Sequence, residues 1–124
     1  MTAWTPDELG TFGASDEIEI TSLRSDGTPR AFTTIWIVRL GDDLYVRSAY
    51  GPENGWYRRA KAAAAGAIRV GDRQRDVGFE EPGDDPTEAL DAAYHAKYDR
   101  YGARIVGTVV SKEAARATLR VIPR

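Results

Sequence analysis

The densest group of chemically useful side chains lies where a strand-like segment gives way to a helix-like one. Arg47 and Ser48 end an alternating run, Gly51 lies in the loop that follows, and Trp56 opens a segment of good helix formers. The free N–H groups and partial positive charge of a helix N-terminus bind phosphate readily. More cations follow in the same segment: Arg58, Arg59 and Lys61. The spacing of these cationic residues is typical of a phosphate-binding site, but it is equally typical of a basic helix face that is exposed to solvent.

Aromatic residues cluster at the same junction. Tyr50 precedes the loop, and Trp56 and Tyr57 follow it. Binding pockets combine apolar and aromatic walls with a few placed polar groups. The junction therefore favours a ligand that carries both a phosphate and a flat ring.

Motifs for hydrolysis and phosphoryl transfer are missing from the sequence, which has no P-loop, no Gly-x-Ser-x-Gly and no His-Glu-x-x-His. With no cysteine and only one histidine, the chain has no thiolate chemistry, and no metal site is predicted. His95 borders an aromatic stripe of helical spacing (Leu90, Tyr94, Tyr98 and Tyr101) that is more typical of a core face than of a cofactor site. No catalytic residue is predicted.

The elements that must position the junction are mainly hairpins. The pattern of period two predicts a first strand around Ile18 and Ile20, then a turn at 25–29 and a single central strand over 32–40 that is covered on both faces. Further strands are predicted at 44–48, 67–70, 76–79, 105–110 and 119–122.

Between these hairpins, the sequence contains patterns that are typical of the beginning of a helix. Thr5, Pro6 and Glu8 form a capping-box start, with Trp4 and Phe12 expected to dock the short helix. Two further helix starts are predicted: one at Asp85–Glu88 for a helix through Tyr101, and one at Ser111 for a single turn. This order of hairpins and helices predicts an α+β fold around an antiparallel sheet or small barrel.

Composition bounds the class of protein. The 124 residues, 42% of them hydrophobic, fit one domain, 1–124, and the net charge of −2 gives no global field for nucleic acid. No apolar run reaches the roughly 20 residues of a spanning helix, and the acidic N-terminal segment does not resemble a secretion signal. We expect a cytoplasmic protein with no membrane or nucleic-acid partner.

The sequence contains, in this order, the segments 23–30, 34–36 and 43–48, then Gly51 and the pair Trp56-Tyr57. Together these resemble the pyridoxamine 5'-phosphate oxidase-like, FMN-binding split β-barrel superfamily and, within it, the DUF2255 family. The order is also similar to that of deazaflavin-dependent nitroreductases. The likeness extends over essentially the whole chain. It implies an α+β fold, specifically an antiparallel split β-barrel with short flanking helices.

The resemblance also implies a homodimer with a cofactor in a groove at the subunit interface. Carried over by position, Thr33, Thr34 and Trp36 lie under the cofactor ring. The remaining cofactor-binding residues would contact its phosphate: Arg47, Ser48, Gly51, Trp56, Arg58 and Arg59. Where the oxidases have a Ser-Arg-Lys-type clamp, this chain has Pro52-Glu53-Asn54, and Glu53 repels a phosphate dianion. FMN and the deazaflavin coenzyme F-420 therefore both stay open.

The function implied is that of a flavin- or deazaflavin-binding oxidoreductase that transfers hydride between the cofactor and a small organic substrate. One alternative is a non-catalytic cofactor- or heme-binding module of the same fold, and a third is a structural dimer with a vacant groove. We also expect a homodimer because a small barrel exposes much aromatic surface, with Trp36, Trp56 and the tyrosine stripe in the interface or core. Arg47, if reserved for a ligand, should have no essential partner in the protein itself.

Overall fold

The computed structural model describes residues 3–83 and 86–124. The helices are α1 (Pro6–Ala14), α2 (Gly55–Ala63), α3 (Thr87–Tyr98), α4 (Ala103–Val106) and α5 (Lys112–Ala115), with a 3-10 turn over Asp99–Tyr101. The strands are β1 (Glu17–Ser22), β2 (Thr33–Trp36), β3 (Val38–Leu40), β4 (Asp43–Arg47), β5 (Ala65–Val70), β6 (Arg73–Glu80) and β7 (Thr118–Pro123).

The seven strands form one sheet in the order β2-β1-β5-β6-β7-β4-β3, and every neighbouring pair is antiparallel. Consecutive strands β2 and β3 lie at opposite ends of this order, so the sheet must curl until its two ends nearly meet. The last strand, β7, pairs with β6 on one side and with β4 on the other. The prediction of an α+β antiparallel split β-barrel with short flanking helices is confirmed.

The barrel is split at Ile37, between β2 and β3. The prediction of one central strand over 32–40 is therefore wrong, since its two halves are the terminal strands of the sheet. The backbone of Ile37 bonds to α3 instead of to a neighbouring strand. Its N–H donates to the Tyr98 hydroxyl (3.1 Å), and its carbonyl accepts from Lys97 Nζ (2.7 Å). These side-chain partners satisfy the polar groups that a continuous ladder would have used.

Helix α1 begins as the sequence predicts. The Thr5 side chain accepts from the Glu8 N–H, and the Glu8 carboxylate accepts from the Thr5 N–H, which completes the capping box. Trp4 and Phe12 are buried with ring centroids 5.9 Å apart, and Trp4 Nε1 donates to the carbonyl of Val121 on β7. The predicted docking of this helix by its aromatic residues is confirmed.

The segment before β7 differs from its prediction. Residues 105–110, predicted to be a strand, belong to α4 and the turns after it. The N–H groups of residues 106–110 bond locally, as when Val109 N donates to the Val106 carbonyl (3.0 Å), and are therefore not available to a sheet. Helix α3 ends at Tyr98 and not at Tyr101 because the chain tightens into the 3-10 turn. Asp85, the predicted cap of α3, lies outside the described residues.

Two apolar clusters hold these layers together. One fills the barrel, and the other lies between α3 and the β3–β4 hairpin. Tyr94 and Tyr98 have no exposed surface in the second cluster, which confirms the tyrosine stripe as a core face, whereas Tyr101 remains half exposed. Within residues 3–83 and 86–124, no helix is long and apolar enough to cross a membrane.

Candidate functional site

A cavity of about 400 Å³ lies against β2, and we call it the site cavity. It brings together five of the predicted cofactor-binding residues: Thr33, Thr34, Trp36, Arg47 and Trp56. The remaining lining residues come from the junction after β4, from β1 and β2, and from the segment that includes α4: Glu17, Ile35, Ala49, Tyr50, Asn54, Ile105, Thr108 and Val109. Strand, junction and the start of α2 thus converge on one cavity.

Strand β2 gives this cavity a polar wall. It pairs with β1 along one edge, and the described residues supply no ladder partner for the other. Thr34 is exposed and Thr33 is half-buried. Trp36 is held flat because its ring stacks parallel on Tyr98 at a centroid distance of 3.9 Å. The result is a rigid indole beside threonine hydroxyls and unpaired backbone groups, an arrangement suited to a flat heteroaromatic ligand.

The rim of the site cavity contains a strained turn. Tyr50 has a φ of +68° and a 79% exposed side chain, and its N–H donates to the Thr108 carbonyl (3.2 Å). A bulky residue with positive φ is uncommon and is found most often where function requires it. Gly51 follows at φ +111°, and a Cβ there would come within 2.9 Å of Glu113 Cβ, so only glycine fits. The backbone therefore holds an exposed aromatic ring at the cavity mouth.

Arg47 occupies a different environment from the one predicted. Its side chain is fully buried: Nη1 donates to Asp91 Oδ1 (2.5 Å) and to the Val109 carbonyl (3.0 Å), and Nε donates to Thr118 Oγ1 (3.0 Å). Nη2 donates to the Thr87 carbonyl (3.3 Å). The expectation that Arg47 has no essential partner within the protein is wrong, because its guanidinium joins β4 to α3 and β7. Its contact with a phosphate stays a prediction.

Ser48 and Gly51 are buried beside the site cavity and do not line it. The Ser48 N–H donates to the Ala117 carbonyl (3.0 Å), and the Ser48 carbonyl accepts from the Gly51 N–H (3.1 Å). These bonds fix the path of the junction from β4 toward α2. Their predicted contacts with a phosphate also stay predictions.

Arg58 and Arg59 lie on a second cavity of about 880 Å³, which we call the basic cavity. It opens between α2 and the connection from β1 to β2, and Arg24 and Arg30 line its opposite side. A crevice of about 10 Å³ touches residues of both cavities, Arg59 and Trp56 among them. The structure therefore places Arg58 on the basic cavity and away from the site cavity, whereas Arg59 also lies beside Thr33 and Trp56 in this crevice.

Several lining residues were absent from the predicted site. Ile105, Thr108 and Val109 were missed because their segment was predicted to be a strand. Arg24 and Arg30 flank the turn at 25–29, but nothing in the sequence indicates that this turn faces α2. Tyr50 and Asn54 could have been predicted from the sequence, because both lie in the junction between β4 and α2 that contains other predicted site residues.

The site cavity is poor in groups for acid–base chemistry. Among the described residues that line it, the titratable side chains are those of Glu17, Arg47 and Tyr50. His95 is exposed on α3, pairs with Asp99 (2.7 Å), and does not reach the cavity. Within the described part of the chain, no three histidine, cysteine or acidic residues are grouped to hold a metal ion. The arrangement is thus one that binds and orients a ligand.

Several solved structures with a similar fold have names that refer to a flavin-type cofactor or to a pyridoxamine 5'-phosphate oxidase. An F-420 reductase matches with 19% identity and a TM-score of 0.58, over 97% of this chain and 94% of its own. A putative pyridoxamine 5'-phosphate oxidase from Listeria innocua matches with 12% identity and a TM-score of 0.57, over 89% and 85% of the two chains. An FAD and heme binding protein from Mycobacterium smegmatis matches with 18% identity and a TM-score of 0.55, over 94% and 64%.

At these identities the structural matches establish a shared fold. No curated protein sequence matches the chain. One family model does match, described as an uncharacterized protein conserved in bacteria (DUF2255), and it covers residues 8–121. The chain therefore belongs to the DUF2255 family.

Proposed function

We propose that the site cavity binds the ring of a flavin-type cofactor, FMN or the deazaflavin coenzyme F-420, and that the protein is an oxidoreductase acting on a small organic substrate. The observation that carries this proposal is the cavity beside the unpaired edge of β2, with Trp36 and Trp56 on its walls. The fold shared with an F-420 reductase and with a putative pyridoxamine 5'-phosphate oxidase supports it.

The residues present fit the ring of such a cofactor. An isoalloxazine or deazaflavin ring is flat and carries hydrogen-bonding groups along one edge. The open edge of β2 and the hydroxyls of Thr33 and Thr34 offer partners for that edge, and Trp36 offers a flat surface. The volume of about 400 Å³ lies within the range of small-molecule sites.

The phosphate end of the cofactor has one suitable place at the site cavity, the beginning of α2. Asn54 lines the cavity and precedes α2, and its side chain does not cap the helix. The first N–H groups of α2 are therefore open to an anion. The exposed Glu53 opposes a dianion here, which favours the single charge of a phosphodiester, as in the deazaflavin coenzyme.

When bound, the cofactor would supply the hydride carrier, and the protein would need no acid or base of its own. The chain's residues would have three tasks. Thr33, Thr34 and the edge of β2 bind and orient the ring, Trp36 and Trp56 form its apolar walls, and Tyr50 covers the mouth against water. This division agrees with the titratable side chains of the described lining residues, which are Glu17, Arg47 and Tyr50 and include no histidine.

Titration of the purified protein with FMN and with coenzyme F-420, followed by cofactor fluorescence, tests the proposal. Thr34→Trp fills the site cavity from an exposed strand position and should weaken binding by at least about tenfold, a loss of about 1.4 kcal/mol. Gln74→Trp, at an exposed position of β6 away from this cavity, is the matched control and should bind as the parent does. No binding of either cofactor at tens of micromolar, or equal binding by both variants, would refute the proposal.

A non-catalytic cofactor- or heme-binding module is the second candidate. The observation that favours it concerns Arg47, the one cation among the described residues that line the site cavity. Arg47 is already engaged by Asp91, so a ring without a phosphate fits as well. The likeness to an FAD and heme binding protein supports it. Tight binding of cofactor without turnover by nicotinamide donors or reduced deazaflavin, or a heme Soret band on titration, would select this candidate.

We further propose that the protein forms a homodimer through the mouth of the site cavity. Among the residues that the structure describes, the exposed large apolar side chains are those of Tyr50, Tyr101 and Ile105, and all three lie on or beside this cavity. Exposed apolar patches of this kind mark interaction surfaces. Trp56 is only 9% exposed, so it belongs to the core more than to the interface. Sedimentation that gives a monomer at micromolar concentration would contradict this.

A further inference from the structure

The two ends of the site cavity differ in charge. Strand β2 runs along the cavity from Thr33, which shares a crevice with Trp56, to Trp36, about 10 Å away. The start of α2, with its open N–H groups and partial positive charge, lies at the Trp56 end. Glu17, the first residue of β1, lies at the Trp36 end. An anion therefore fits one end of the cavity, and a cation fits the other.

Glu17 and Trp36 project side by side from one face of the sheet. The two residues lie directly opposite each other in the antiparallel ladder of β1 and β2, so their Cβ atoms are about 4.5–5.5 Å apart. Glu17 is exposed, whereas the indole of Trp36 is held flat on Tyr98. The pairing thus fixes a carboxylate beside a rigid aromatic ring at the wall of the site cavity.

The Glu17 carboxylate has no counter-charge within residues 3–83 and 86–124. No lysine, arginine or histidine of these residues forms an ion pair with it. Glu19, which projects from the same face two residues further along β1, behaves differently. Its carboxylate accepts from Arg69 Nε (3.0 Å) and from Arg69 Nη2 (3.1 Å). The carboxylate at the site cavity is therefore the unpaired one of the two.

Three cations lie on or near the site cavity, and each is already engaged. Arg47 lines the cavity, but its side chain is fully buried and pairs with Asp91. Arg100 donates to the Asp16 carboxylate. Lys97 Nζ donates to three backbone carbonyls. Among the described residues that line the cavity, the one charge without a partner is therefore negative.

We propose that the substrate taken at this site is a small organic cation, with an amine or ammonium nitrogen on an apolar body. The nitrogen pairs with the Glu17 carboxylate, and the body lies against Tyr101 and Ile105, which are exposed on or beside the cavity. Glu17 repels a substrate of negative charge. The substrate role rests on the proposed cofactor, because a cofactor whose phosphate lies at the start of α2 leaves the Glu17 end of the cavity free.

NMR titration of the ¹⁵N-labelled protein with phenethylammonium, phenethyl alcohol and phenylacetate tests this, because the three probes carry different charges on a similar skeleton. The chain has three tryptophans, so the indole N–H signals report the place of binding. The Trp36 signal should shift, whereas that of Trp4, which donates to the Val121 carbonyl in the core, should not. The ammonium should bind about three- to fivefold more tightly than the alcohol, and phenylacetate should bind most weakly. No binding of the ammonium, or equal affinities for all three probes, would overturn the proposal.

Glu17→Gln keeps the shape of an exposed side chain and removes its charge. It should weaken binding of phenethylammonium by about three- to fivefold and leave binding of phenethyl alcohol unchanged. Glu88→Gln, at an exposed position of α3 outside the cavity, is the matched control and should bind the ammonium as the parent does. Equal losses in the two variants would reduce the effect to net charge and overturn the proposal.

Titration with FMN and with coenzyme F-420 separates this proposal from the cofactor function. Glu17→Gln should bind cofactor as the parent does, and phenethylammonium should still bind when cofactor is present. A loss of cofactor affinity in Glu17→Gln, or displacement of the ammonium by cofactor, would overturn the proposal and assign Glu17 to the cofactor ring. A dimer that dissociates only in Glu17→Gln would overturn it in favour of an ion pair between subunits.

The two proposals also fail in different ways. Cofactor binding by a parent protein that does not bind phenethylammonium would overturn the substrate class alone. Ammonium binding by a parent protein that binds neither cofactor would refute the proposed function, and with it the substrate role of the cation.

Discussion

The buried position of Arg47 reverses the expectation drawn for it from the sequence. Arg47→Met keeps the length of the side chain and removes its charge and its bonds to Asp91, Val109, Thr87 and Thr118. Breaking a buried ion pair by removing one partner costs about 3–5 kcal/mol. Because the Asp91 side chain is 35% exposed and regains water, we expect the lower end, about 3 kcal/mol. In a domain of this size that loss lowers Tm by roughly 10–15 °C.

Urea unfolding followed by tryptophan fluorescence measures this change. Arg73→Met is the matched control, because Arg73 pairs with Asp7 at the surface, where such pairs contribute less than about 1 kcal/mol. Arg47→Met should lower the free energy of unfolding by less in an Asp91→Asn background than in the parent, because no unpaired Asp91 carboxylate then remains. If Arg47→Met loses no more stability than Arg73→Met, the network does not hold α3 to the barrel, and a role for Arg47 reserved for ligand is restored.

Three further outcomes follow from the same contacts. Tyr50→Gly should be more stable than Tyr50→Ala by about 1 kcal/mol in thermal unfolding, because only glycine adopts φ +68° without strain; equal stability would refute strain at this turn. Burial lowers the pKa of Lys97 to about 8, so the native state releases its proton before the unfolded chain does. The contribution of Lys97 to the free energy of unfolding should therefore rise from pH 8 toward pH 10, so the difference in stability between the parent and Lys97→Met should change over this range in favour of the parent. For Glu8, burial raises the pKa, but the Thr5 N–H and Arg75 outweigh it and leave the pKa below its ordinary value. Glu8→Gln should cost about 1–2 kcal/mol at pH 7, with the difference from the parent shrinking as the pH falls below 4.5, measured by urea unfolding at pH 7 and pH 3.

Much of the fold was predictable because local chemistry and the tertiary structure agree. The capping box at Thr5 and the turn at Gly41, whose φ is +64°, specify where elements begin and turn. The break at Ile37 was not predictable, because its cause is the pair Lys97 and Tyr98, which lie some 60 residues away in the sequence. An alternation of apolar and polar residues indicates which side chains are buried, but it does not indicate which groups the backbone hydrogen-bonds to.

The candidate site was predictable in part for a similar reason. Thr33, Thr34 and Trp36 lie on one strand, β2. A prediction that puts this strand at the cavity therefore puts all three residues there. Arg58 and Arg59 depend on which face of α2 meets which neighbour, and helical spacing alone does not determine that. The partners of Arg47 come from three distant segments, so neither its burial nor its ion pair with Asp91 was visible in the local sequence.

The position of β7 between β4 and β6 has a consequence for how the chain folds. The β3–β4 and β5–β6 pairings join consecutive strands, and the β1–β5 pairing joins strands that are separated by β2, β3, β4 and α2. In the sheet, the β3–β4 hairpin is linked to β1, β5 and β6 through β7. The bond from Trp4 to Val121, 117 residues apart, belongs to the same closing step. Folds that depend on such distant contacts fold slowly. We therefore expect the barrel to close only after β7 has been synthesised, with the unpaired edges of β4 and β6 exposed to aggregation until then.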